Sequence, residues 1–145
     1  MEEIIILINF REHLFLITLS DTTKNSRFKI LLNEAGYYEL SIADNIEITI
    51  DDVKNIVEAQ KNLGAKRLPT LVATTSNAIL SVDTMSYISK NVNFPYSKAG
   101  AYVVSSTSQK MLSNFYLKLK NPERPTKFFN SREDAVKWIM EQKDL

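Results

Sequence analysis

Ala101-Tyr102-Val103-Val104 is a short apolar run that opens directly into four hydroxyl residues, Ser105-Ser106-Thr107-Ser108. From Gln109 to Leu119 the pattern turns helical, with Met111, Leu112, Phe115 and Leu119 recurring at helical spacing. Asn121-Pro122 stops that helix, because the residue before proline is pushed out of the helical region. A second short run, Lys127 to Phe129, follows. Ser131-Arg132-Glu133-Asp134 then reads as a capping box, starting a helix with Ala135, Trp138 and Ile139 on one side. Strand, helix, strand, helix is the grammar of an α/β sheet, and it predicts parallel strands joined by right-handed crossovers.

Toward the amino terminus the same alternation continues. Leu68 to Thr74 is an apolar run fit for a strand buried on both faces. A less regular segment, Thr75 to Val82, leads from it to a short helix near Asp83 to Lys90. Before it, Thr49-Ile50-Asp51-Asp52 is a capping box with Asp in place of the usual Glu. The helix it starts runs to about Leu63, turns Val53, Ile56, Val57 and Gln60 toward the sheet, and ends at Gly64, suited to a left-handed cap. Phe28, Ile30 and Leu32, a turn at Asn33-Glu34-Ala35-Gly36, then Tyr38, Leu40 and Ile42 read as a hairpin whose period of two puts apolar residues on one face. Residues 4 to 8 and 14 to 19 read as two further strands, separated from the rest by the polar stretch Ser20 to Ser26. The expected fold is therefore one α/β domain over 1–145. Its central sheet is mixed and mostly parallel, with packed helices and the antiparallel hairpin at 27 to 42, and residues 1–23 are an amino-terminal strand extension to a core over 27–142.

Composition narrows the chemistry. In 145 residues, 44% hydrophobic and 24% charged is the balance of a globular domain, and Ile4 to Ile8 is too short to cross a bilayer of about 30 Å. No membrane insertion is expected. Met-Glu-Glu lacks the positive region of a secretory signal, so a cytoplasmic location is expected. No cysteine is present, which removes disulfides and sulfur-ligated metals, and a net charge of +1 compels no nucleic acid partner. Glycine occurs only at 36, 64 and 100, so phosphate cradles are absent and no cofactor is expected. A lone His13 makes no metal site, and the carboxylate pairs Asp51-Asp52 and Glu133-Asp134 belong to first helical turns. No catalytic set emerges, and the chain is expected not to be an enzyme.

The candidate sites are positional. Thr74, Thr75 and Ser76 follow one predicted parallel strand, and Ser105, Ser106 and Ser108 follow another, with Lys110 behind them. In open α/β sheets ligands bind outside the carboxyl ends of strands, so these residues are candidates for a ligand or partner rim. The plainer reading is that they cap helices. Met85, Met111, Phe115 and Tyr116 are candidates for lining a pocket, since methionine adapts to irregular shapes, although such stripes are more often plain core. A basic link, Lys118, Lys120, Arg124 and Lys127, reads as a solvated loop.

The closing segment from Lys127 to Ile139 resembles that of STAS-like domains related to bacterial anti-sigma-factor antagonists. The Asn114-Phe115-Tyr116 and Pro122-x-x-Pro125-Thr126 spacings are similar to an uncharacterised bacterial subgroup of them. The resemblance spans about residues 27 to 142. It implies a mixed sheet with packed helices and, for the antagonists, a phosphorylated serine in an Asp-Ser-Ser/Thr-Gly motif. The matching region, Thr74 to Asp83, has neither that aspartate-serine pair nor the glycine, so a kinase switch is not expected; Thr75, Ser76 and Ser81 match by position alone. The leading expectation is a non-enzymatic interaction or regulatory domain with an unidentified protein partner, a homodimer through its strand-rich amino terminus. Its rival, from the related CRAL-TRIO architecture, is a carrier or sensor of a small apolar or amphipathic ligand.

Overall fold

The computed structural model describes residues 5–10, 13–18, 27–74, 78–105, 116 and 121–144. Its centre is a five-stranded sheet of β3 (Phe28–Asn33), β4 (Tyr37–Ile42), β6 (Leu68–Ala73), β8 (Ser97–Val103) and β9 (Thr126–Phe129), in that spatial order. β3 and β4 form the expected antiparallel hairpin, with Phe28 opposite Ile42 and Asn33 opposite Tyr37. Its turn closes through the Gly36 N–H donating to the Asn33 carbonyl at 2.9 Å, and Gly36 takes φ +93°, where a side chain would be strained. From β4 onward every neighbour is parallel. Two further strands, β5 (Glu47–Ile48) and β7 (Ile79–Leu80), pair in parallel as a small separate sheet. β1 (Ile5–Phe10) and β2 (His13–Thr18) pair antiparallel as a third.

Helices cover both faces of the central sheet. α1 (Ile50–Asn62) starts at the Thr49 box: the Asp52 N–H donates to Thr49 Oγ1 at 3.2 Å, and the Thr49 N–H donates to Asp52 Oδ2 at 2.9 Å. It ends in a Schellman motif, with Gly64 at φ +115° and the Ala65 N–H reaching the Gln60 carbonyl at 3.1 Å. α2 (Val82–Ile88) is capped by Ser81, and α3 (Arg132–Gln142) by Ser131, whose hydroxyl accepts the Asp134 N–H at 3.2 Å.

The pleat of the strands explains two cores. Tyr38, Val72 and Tyr102 belong with Val53, Ile56 and Ile88 in the larger one, beneath α1 and α2. Their sequence neighbours Tyr37, Leu71 and Ala101 belong with Ala135 and Ile139 in the smaller one, beneath α3. β6, at the centre, is buried on both sides, as its unbroken apolar run requires. The expected helix from Gln109 to Leu119 lies outside the described residues apart from Tyr116, which is helical and buried.

Candidate functional site

The carboxyl ends of the parallel strands meet where the sequence placed its rim. Ala73 and Val103 end β6 and β8 side by side. Thr74 follows at once, and its hydroxyl donates to the Val103 carbonyl at 2.8 Å. That hydroxyl stitches two strands together rather than facing a ligand. Ser105 sits on the same rim; Thr75, Ser76, Ser106, Ser108 and Lys110 lie outside the described residues.

Behind Thr74 the larger core is not completely filled. A cavity of about 90 Å³ lies between the sheet and the two helices above it. The rim residues Ile42 and Val104 form one side, and Met85 of α2 and Val53 of α1 form another. Phe94 and Phe128 also line it, Phe128 from the carboxyl end of β9, as do Ala78 and the β7 residues Ile79 and Leu80. The wall is apolar apart from Thr74 and Tyr102. Ile79 is 54% exposed although it lines the cavity, and Val82, three residues on, is 40% exposed. Two large branched side chains therefore stand in solvent beside an apolar recess.

Of the four residues expected to line a pocket, Met85 does so. Tyr116 is buried outside the lining, set edge-on against Phe128 with ring centroids 6.1 Å apart. Burial, and secondarily Tyr102, push its phenol well above the ordinary tyrosine range. Met111 and Phe115 lie outside the described residues.

The solvated-loop reading of the basic link is corrected at Arg124, which is 4% exposed. Its guanidinium donates to the Ile88 carbonyl at 2.6 Å and to those of Phe94 and Lys90 at 3.3 and 3.4 Å, and lies 5.4 Å from the Phe94 ring centroid. Those carbonyls belong to the end of α2 and the turn after it, where helix backbone carries partial negative charge. Desolvation lowers the Arg124 pKa, and Tyr102, Tyr116 and Glu123 work against that shift. Arg124 thus clamps the end of α2 to the entry of β9, whose Phe128 lines the cavity. Spacing carried no hint of it, because its acceptors lie 30 to 36 residues away.

At the far edge, Arg27 forks onto Asp52 at 2.8 and 3.0 Å. Burial opposes the Asp52 charge, yet Arg27 and Thr49 outweigh it and hold the carboxyl below its usual range. On the opposite face Glu39 accepts from Arg132, Tyr37 and Asn33. Both are structural networks. Among the described residues, no three of His, Cys, Asp and Glu converge as a metal site, and no helix is long and apolar enough to cross a membrane.

A mixed sheet with helices on both faces, built on a β3–β4 hairpin and parallel thereafter, defines a mixed α/β domain. The family described as Domain of unknown function (DUF7793) matches residues 34–143, and the chain belongs to that family. Among solved structures, it is similar to an uncharacterised protein of the DUF3478 family from Shewanella loihica PV-4, described as having a SpoIIAA-like fold. The two share 12% identity and a TM-score of 0.47, over 94% of this chain and 93% of that one. No curated protein matches the chain.

Proposed function

We propose that this chain is a non-enzymatic STAS-like interaction domain of the bacterial cytoplasm, and that it holds a protein partner by taking one branched aliphatic side chain into the rim cavity. The observation that carries this reading is the cavity itself, with Ile79 exposed on its border. Size favours a side chain over a larger ligand. An apolar cavity of about 150 Å³ holds a benzene molecule, so about 90 Å³ suits a group of about three or four heavy atoms and not a lipid tail. Interfaces gain most of their energy from a few anchors seated in such desolvated recesses, with surrounding contacts excluding water. Ile79 and Val82 supply that apolar surround.

The test is affinity capture from bacterial lysate with the wild type, Ala78→Val and Ile79→Lys, each checked for native circular dichroism. Ala78 borders the cavity, so the valine methyls take up its space. A protein retained by the wild type and lost by both variants supports the reading; identical capture by all three overturns it. The apolar lining also suits a free small ligand, and native mass spectrometry separates the two. Excess mass that vanishes on denaturation would reassign the cavity to that ligand, and a clean protein mass is expected.

A further inference from the structure

A different part of the molecule carries a second interaction surface, independent of the cavity. β1 and β2 pair with each other, Ile6 opposite Ile17 and Ile8 opposite Phe15, and with no strand of the central sheet. Among the described elements they pack chiefly on one another. A lone two-stranded ribbon is at best marginally stable in water. Its polar residues, Asn9, His13 and Thr18, stand at the ends of the ribbon, and the positions between are apolar on both faces. Register positions 5, 7, 14 and 16 fall on one face and 6, 8, 15 and 17 on the other, and all eight are Ile, Leu or Phe.

The free edges point to what joins it. In the central sheet both edge strands carry an exposed lysine, Lys29 on β3 and Lys127 on β9, the usual device against edge-to-edge pairing. β1, Ile-Ile-Leu-Ile-Asn-Phe, carries no charge and no proline. Among the described residues no strand pairs with its outer edge, and no charged residue of β1 guards it. Two identical strands meeting antiparallel about a two-fold axis set one residue opposite its own copy, and every other pair repeats by symmetry. The middle of β1 is Leu7 or Ile8, so like meets like with no charge repulsion.

We infer that β1 pairs with β1 of a second copy of this chain, giving a four-stranded intermolecular sheet in the order β2-β1-β1-β2 and a two-fold dimer. Each protomer keeps its own rim cavity in this arrangement.

The absence of cysteine makes the test direct, because an introduced thiol is the only one in the chain. Residues opposite one another in an antiparallel pair have Cα atoms about 4.5 to 5.5 Å apart, within disulfide range. Leu7→Cys, Ile8→Cys and, as a control, Lys29→Cys would be oxidised at micromolar concentration and run without reductant. One of the two β1 variants should become covalent dimer at least tenfold more completely than Lys29→Cys. Light scattering of the wild type should give twice 16.6 kDa, and Leu7→Lys should return it to 16.6 kDa. Trp138 fluorescence would show that Leu7→Lys keeps its core folded. A monomeric wild type, or cross-linking no better at β1 than at Lys29, overturns the inference; so does a dimer that Leu7→Lys leaves intact. Hairpins that bind a membrane or another protein instead would appear as the monomeric outcome.

Discussion

Gln60 sits in the last turn of α1, fully buried, and neither of its amide atoms has a hydrogen-bond partner among the described residues. Helical spacing had turned this position toward the sheet together with Val53 and Ile56, so its burial was legible; the lack of partners was not, because that depends on what the sheet offers opposite. A buried amide without bonds loses its hydration for nothing in return. Gln60→Leu keeps similar volume and removes the penalty, so it should raise stability by about 1 to 2 kcal/mol, read as a rise of a few degrees in the thermal midpoint. A lower midpoint would mean that the amide does have a partner. Arg124 is the opposite case. The buried Ile88 and Phe94 carbonyls would lose the donor that Arg124 gives them in Arg124→Met, while that of Lys90 keeps the Asn93 N–H, and the expected loss is about 3 kcal/mol in urea unfolding. Arg124→Lys should recover little, since one ammonium on a flexible stem does not reproduce the planar fork. Neighbouring lysines in the basic link look the same in sequence. Only closure of β9 against α2 sets Arg124 apart.

Capping signals were the most legible feature of the elements, because each is complete within four residues. Thr49 and Ser131 start α1 and α3 where their motifs placed them, and Gly64 ends α1. Hairpin and strand periods were equally local. What four residues do not contain is the third member of the α1 cap, Arg27, which lies 25 positions from Asp52. That partner gives the cap a pH dependence. Asp52 in the folded protein has its pKa held below the usual carboxylate value near 3.8, so the folded state binds fewer protons there than the unfolded chain does. Its contribution is therefore complete above the unfolded pKa and fades as pH falls through the lower, folded one. Urea unfolding at pH 7 should show Asp52→Asn less stable than the wild type, and the gap should close as the pH drops below about 4. A gap unchanged between pH 7 and pH 3 would mean that packing, not charge, accounts for the defect. Thr49→Ala should cost about 1 kcal/mol, because its hydroxyl accepts the Asp52 N–H.

Across the whole molecule the two cores are unequal in finish. Beneath α3, Ala135 and Ile139 are wholly buried against Leu71 and Ala101, whereas the core beneath α1 and α2 keeps its cavity at the strand ends. The cavity was not legible in the sequence, because its walls come from sheet strands, both upper helices and β7, and nearly every one reads as ordinary core. Met85, as a pocket residue, and Thr74, as a rim residue, were the two lining positions singled out. Filling the space distinguishes a packing defect from a site. Ala78→Val adds two methyl groups to the border of about 90 Å³ of apolar space, and burying each is worth roughly 0.8 kcal/mol before any strain. A net gain near 1 kcal/mol, about 2 to 4 °C in a domain of this size, is the expected outcome in a thermal melt. Stability gained while partner capture is lost would show a recess kept open against the interest of packing, as sites that trade stability for function are. If Ala78→Val instead lowers the midpoint by several degrees, the space is already too tight to admit a side chain and the anchor reading fails with it.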